Sequence, residues 1–126
     1  MPAVQPKPGT YDEKLLKGLD FLLHEMRRRN MTAVIVLGNY WQWSGGFAQY
    51  LRWAGKSEIP YPDFDPEASG GNSQSRSSYW MWLRYNLYTV QFYSTPKAME
   101  YYEKFVHKIV LRRNSVNGLL YRNRSE

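Results

Sequence analysis

"MTAVIVLG", residues 31–38, is the stretch on which the fold turns. It is short, apolar and rich in β-branched side chains, and such a run reads as a strand buried on both faces. It follows at once on the clearest helical pattern of the chain, "TYDEKLLKGLDFLLHEMRRRN" at 10–30. Thr10 is placed to cap that helix, with Glu13 three residues later as its capping-box partner. Leu15, Leu16, Leu19, Leu22, Leu23 and Met26 recur at helical spacing and make one apolar stripe. Asn30 suits a left-handed stop. A helix followed by such a strand is one unit of a parallel α/β architecture. In those folds ligands sit beyond the carboxyl ends of the strands. Here that place is taken by "NYWQWSGGFAQY" at 39–50, where large flat rings crowd around a Gly-Gly pair.

The rest of the chain adds helices but no second strand. Residues 1–9 form a Pro-rich lead-in, with Pro2, Pro6, Pro8 and Gly9. Gly45 and Gly46 read as a turn needing positive φ, and Tyr50 and Trp53 as rings packing loop on helix. Residues 56–78 are loop by composition, with three prolines, a Gly pair and a polar tract; a stretch this long is commonly functional or mobile. "YWMWLRYNLYTVQFYS" at 79–94 fits helix or strand by periodicity, and its length favours helix. Tyr79, Trp80, Trp82, Tyr85 and Tyr88 would then be its buried side. In "TPKAMEYYEKFVHKIVLRRN" Thr95 stands at an N-cap and Pro96 at the first helical position, with a stripe of Met99, Tyr102, Phe105, Val106, Ile109 and Val110. An isolated strand cannot satisfy its backbone N–H and C=O groups. The pattern therefore looks like a slice of a larger α/β fold.

Bulk properties narrow the partners. At 126 residues this is one domain at most, and 43% hydrophobic with 17% aromatic residues is the composition of a folding chain. No apolar run approaches the roughly 20 residues a membrane helix needs, so no membrane partner is expected, and the N-terminus shows no secretory signal. Without cysteines there are no disulfides or thiolate metal sites. His24 and His107 lack any metal-ligand spacing, and no motif calls for a cofactor. The net charge of +6 is concentrated in "MRRR" at 26–29, "LRR" at 111–113 and "YRNR" at 121–124. These are helix ends or the chain end, where basic side chains complement the helix dipole. A nucleic-acid patch is the competing reading of the same charges.

The block "LDFLLHEMRRRNMTAVIVLGNYWQWSGGFAQYLRWAG" at 19–55 closely resembles the endo-β-1,4-mannanases of glycoside hydrolase family 5. The matching features are the helix–strand pair, the Asn-x-Trp after the strand, the Gly-Gly, and "QY" then "W". The likeness resumes at "FYSTPKAMEYYEKFVHKIVLRRNSVNGLLY", 92–121. The resemblance implies an α/β fold: part of a (β/α)8 TIM barrel comprising its helix 2, strand 3, long loop 3 and helix 3. It implies retaining hydrolysis of internal β-1,4-mannosidic bonds in mannan, glucomannan or galactomannan. In the family an Asn-Glu-Pro carrying the acid/base follows the "G-x-x-Y" turn; here Tyr121 is followed by "RNRSE". The catalytic pair is therefore expected outside residues 1–126, and no catalytic residue is assigned. The tight acidic cluster "DFDPE" at 63–67 reads as a solvated loop.

Binding is where the residues speak. By motif match Trp41 falls where those mannanases stack a ring on a mannose unit; sugars offer an apolar C–H face to a rigid indole. Trp43 either extends that platform or packs on the third helix. Tyr40 and Gln42 line the same groove or support it, and Asn39 caps the strand end through its amide. Arg113 and Asn114 match family positions that make structural hydrogen bonds. A mannan-type polysaccharide is thus the expected partner, and the resemblance implies a secreted protein. Two other readings stay open: a non-catalytic carbohydrate-binding remnant built on Trp41, and a single-stranded nucleic-acid binder using stacking and phosphate contacts. The exposed edges of a barrel slice also predict self-association.

Overall fold

Asp12, not Thr10, opens the first helix. The computed structural model describes residues 3–40, 46–62 and 76–121, and in it α1 spans Glu13–Arg28. The Asp12 carboxylate accepts from the backbone N–H of Lys14 at 2.9 Å and of Leu15 at 3.3 Å. Thr10 is already committed to a tight turn, because its N–H donates to the Lys7 carbonyl across Gly9, whose φ is +71°. The cap therefore moves two residues on. Asn30 is the expected left-handed stop, with φ of 54°. The buried face of α1 is narrower than the predicted stripe: Leu16 and Asp20 are buried and Leu22 is exposed.

The expected buried strand is overturned. Residues 31–39 have no regular secondary structure, and Met31, Val34, Ile35 and Val36 are exposed, Val34 to 94%. Among the described residues there is no β-strand, only the isolated bridges Lys7–Thr10 and Arg113–Leu120. The physical reason is the one that made a lone strand suspect. Extended backbone needs a neighbour for its N–H and C=O groups, and the regular elements available here are helices.

Two compact units divide the chain, residues 1–37 with 100–126, and residues 38–99. In the first unit Leu16, Asp20, Ile109 and Asn114 are buried, and Tyr11 stacks on Phe105 at 6.4 Å.

Among the described residues the second unit includes two helices and a 3-10 turn. Helix α2 (Gly46–Trp53) stands where a Gly-Gly turn was expected. Gly46 does take positive φ, 45°, and Gly45 lies outside the described residues. Ala48, Tyr50 and Leu51 are buried, and Tyr50 meets Trp53 edge-on at 5.4 Å. Helix α3 (Arg76–Val90) begins inside the expected loop and runs into a 3-10 turn, Gln91–Ser94. The remainder of that loop, 63–75, lies outside the described residues. Tyr85 and Tyr88 are buried as expected, but Tyr79 and Trp80 are exposed.

Helix α4 (Pro96–Val110) has its proline at the first position, as the sequence predicts. The Thr95 carbonyl receives the N–H groups of Ala98 and Met99, while its hydroxyl donates to the Gln91 carbonyl at 2.8 Å. Met99 is exposed, so the α4 stripe starts one turn later than expected.

Candidate functional site

Tyr85 organises the ring-bearing surface of the second unit. It is fully buried on α3, and its hydroxyl donates to the Tyr40 carbonyl at 3.0 Å. The Tyr40 ring meets it edge-on at 5.9 Å, Trp82 does so at 5.9 Å, and Tyr61 lies stacked against it at 6.3 Å with 25° between planes. The Tyr40 hydroxyl donates to Asn86 Oδ1, one residue along α3. Tyr40 is thus tied to the helix by its main chain and by its phenol, yet its side chain stays 42% exposed. Thr89, one turn on, donates its hydroxyl to the Tyr85 carbonyl at 2.8 Å and is buried. Burial pushes the phenols of Tyr85, Tyr40 and Tyr61 up, the last against the pull of nearby Arg52. All three rings are neutral near pH 7.

Of the five predicted binding residues, the structure describes two. Asn39 is half-buried and Tyr40 is exposed at the rim of this cluster; Trp41, Gln42 and Trp43 lie outside the described residues. The structure joins Tyr40 to α3, a link the strand reading did not predict. Tyr61 was missed because it sits in a Pro-rich stretch read as loop. It lies between Ile59 and Pro62, both buried, and nothing in the sequence of that stretch marked it.

In the first unit the sequence reading missed Asp20. Its carboxylate is fully buried and receives four hydrogen bonds: Arg112 Nε at 3.0 Å and Nη2 at 2.7 Å, Ser115 Oγ at 2.8 Å and Tyr121 Oη at 2.6 Å. Burial by itself would raise its pKa, but the bonds from Arg112, Tyr121 and Ser115 outweigh it and hold the carboxyl well below the usual range. The Arg112 guanidinium is held charged chiefly by Asp20, and it reaches Glu13 at 2.9 Å. Burial and the bond to Asp20 push the Tyr121 phenol up. Asn114 makes the expected structural bonds, donating to the Asp20 carbonyl at 2.7 Å and receiving the Val116 N–H at 2.9 Å. Arg113 donates to the Gly118 carbonyl at 3.2 Å. This is a hub that ties the 112–121 turn to α1.

The described carboxylates are all engaged. Asp12 caps α1; Glu13 pairs with Lys108 and Arg112; Glu25 pairs with Arg28 and Arg29. Glu58 faces Arg52 at 3.8 Å, Glu100 pairs with Lys104, and Glu103 lies 4.0 Å from His107. Hydrogen bonds from cationic partners lower Glu13 and Glu25, the opposite of the raised pKa that a general acid needs. Asp63, Asp65 and Glu67 lie outside the described residues. Among the described residues no group of His, Cys, Asp and Glu could hold a metal ion, and no helix is long and apolar enough to cross a membrane. Several of the basic residues at helix ends are spent on these ion pairs.

Over residues 1–125 the chain matches the family described as GH family 5 beta-mannosidase-like. It is 31% identical over 121 residues to mannan endo-1,4-beta-mannosidase 7 of Oryza sativa subsp. japonica, covering 96% of this chain and 25% of that protein. The crystal structure of a glycoside hydrolase family 5 mannosidase from Rhizomucor miehei superposes with a TM-score of 0.76 at 39% identity, covering 95% of this chain and 27% of that one. A variant of the same enzyme in complex with mannosyl-fructose superposes at 0.75 with 38% identity over the same shares. The chain spans about a quarter of the length of the curated relatives it matches.

Proposed function

The chain belongs to the glycoside hydrolase family 5 β-mannosidase-like family, and from that premise we propose that it is the substrate-stacking segment of a glycosidase acting on β-mannosides. The parent chemistry is retaining hydrolysis of internal β-1,4-mannosidic bonds in mannan, glucomannan or galactomannan. Residues 39–43 hold the sugar, with Trp41 as the principal ring, Trp43, Tyr40 and Gln42 beside it, and Asn39 shaping the turn. The carrying observation is Tyr40: exposed, and tied at both its carbonyl and its hydroxyl to α3. Tyr40, held at two points, meets a ligand with little ordering cost.

This segment binds and does not itself supply the reacting pair. Retaining hydrolysis needs two carboxyl groups about 5–5.5 Å apart, one protonated and one ionised. Among the described carboxylates, Glu13, Asp20 and Glu25 accept hydrogen bonds from cationic partners, which favours their ionised form.

A shorter substrate is the second reading. It is favoured by the solved relative at 38% identity that holds mannosyl-fructose, a small mannoside and not a polymer. Affinity electrophoresis of the 126-residue protein through glucomannan, with and without free mannosyl-fructose, tests both. Retardation by glucomannan that is lost in Trp41→Ala supports the polymer reading; retardation abolished by mannosyl-fructose favours the short mannoside. A folded protein that migrates unretarded and fails to bind mannosyl-fructose refutes binding by this segment. Reducing-sugar release from glucomannan would refute the division of labour, with Asp63, Asp65 and Glu67 the first positions to test.

A further inference from the structure

A second exposed ring packs on Tyr85 from a different segment than Tyr40, and no part of the stacking site so far includes it. Tyr61 is 43% exposed although both its flanks are fixed. Ile59 and Pro62 are buried on either side, the Tyr61 N–H donates to the Ile59 carbonyl at 2.8 Å, and the Tyr88 hydroxyl donates to the Ser57 carbonyl at 2.9 Å. Its ring is further braced by the stack on buried Tyr85, the same residue that Tyr40 meets edge-on. Large apolar side chains held half-exposed by buried anchors lose almost no rotamer freedom on binding.

We infer that Tyr61 is a second sugar-stacking ring, which together with Tyr40 extends the binding surface for a β-mannoside chain across the face of α3. The reading rests on the mannoside-binding role proposed above. Tyr61 presents the flat apolar surface that sugar C–H groups prefer, and Arg52, exposed and facing Glu58, is the near source of polar contacts for ring hydroxyls. The occupant that fits is an oligosaccharide, since a lone apolar side chain would have no use for an adjoining Arg–Glu pair. Two rings braced on one buried tyrosine favour an extended chain over a single sugar.

The test uses the 126-residue protein and soluble glucomannan. Nitration of tyrosines is mapped by mass spectrometry with and without the polysaccharide. Protection of Tyr61 and Tyr40, with exposed Tyr79 and Tyr93 unprotected, is the expected result. Equal modification of Tyr61 in both conditions overturns the inference. In affinity electrophoresis Tyr61→Leu weakens binding about three- to tenfold, as loss of one stacked ring should, whereas Tyr61→Phe stays within about twofold of the parent. Unchanged retardation of Tyr61→Leu, in a protein that Trp41→Ala releases, sinks Tyr61 alone. A folded parent protein with no retardation at all sinks the mannan reading and this inference together.

Discussion

Replacing Asp20 by asparagine tests how the first unit is held. The side chain keeps its shape, but one of its two oxygens becomes an N–H donor. Oδ1 faces Arg112 Nε at 3.0 Å and Tyr121 Oη at 2.6 Å, and Oδ2 faces Arg112 Nη2 at 2.7 Å and Ser115 Oγ at 2.8 Å. Whichever way the amide turns, one guanidinium N–H meets a donor, and Arg112, whose side chain is 9% exposed, loses its buried counter-charge. Breaking a buried pair from one side costs about 3–5 kcal/mol. Glu13 still reaches Arg112 at 2.9 Å and one amide oxygen still accepts, so the lower end applies, about 3 kcal/mol. For a chain of this size that lowers Tm by roughly 9–15 °C. Far-UV circular dichroism during thermal and urea unfolding measures it. The Asp20 pKa in the folded chain is depressed below its ordinary 3.8. Its contribution is therefore complete above that value and is lost as pH falls through the folded value. The gap between parent and Asp20→Asn should be constant from neutral pH down to about pH 5 and narrow below about pH 4. A loss under about 1 kcal/mol at neutral pH, or a gap that widens in acid, would refute this account of the hub. If Asp20→Asn shows no transition, Ser115→Ala, which removes one donor of four, supplies the graded step of about 1 kcal/mol.

Asp12→Ala removes the acceptor for two backbone N–H groups at the start of α1 and should cost about 1 kcal/mol in the same unfolding assay. Gly118→Ala places a Cβ in open space but at φ of +72°, so its loss of about 1–2 kcal/mol is purely backbone strain. Gly18→Ala, inside α1 with equally open space and no positive φ, should instead stabilise by about 1 kcal/mol. Residues 31–51 carry no charge and Val34 is 94% exposed, so the isolated chain is expected to self-associate through that segment. Val34→Lys should shift sedimentation toward monomer, and an unchanged distribution would place the association elsewhere.

Helices were legible wherever local chemistry decided them. Pro96 at a first position, Asn30 at a left-handed stop and the length of 79–94 each report a short-range preference, and each element formed. The failures came where a partner decided. "TAVIVL" has a strand's composition, but pairing is supplied by another segment, so its burial could not be read from its own residues. Thr10 was a sound cap until Gly9 turned the chain back on Lys7. The α2 helix was hidden because Gly-Gly signals a turn and "FAQYLRW" is only two turns long.

Asp20 shows why the hub was harder to see than the rings. It sits on the α1 face that also carries Leu16, four residues earlier, and Leu23, three later. A charge on an apolar stripe requires a counter-charge, and that mismatch was visible in the sequence. Which cation answered was not, since "MRRR", "LRR" and "YRNR" offered equal candidates and only packing of the 112–121 turn selects Arg112. The aromatic surface had the reverse difficulty. Rings at 40, 61, 82 and 85 are apolar whichever way they face, so their types did not separate a platform from a core. Exposure separates only the buried Tyr85, spent on packing, from Tyr40 and Tyr61, which pack on it and stay open. A surface that only closed a core would bury those rings at little cost, because their hydroxyls could find partners as readily as that of Tyr88 does at Ser57. Their half-exposure is what the proposed sugar-stacking role requires.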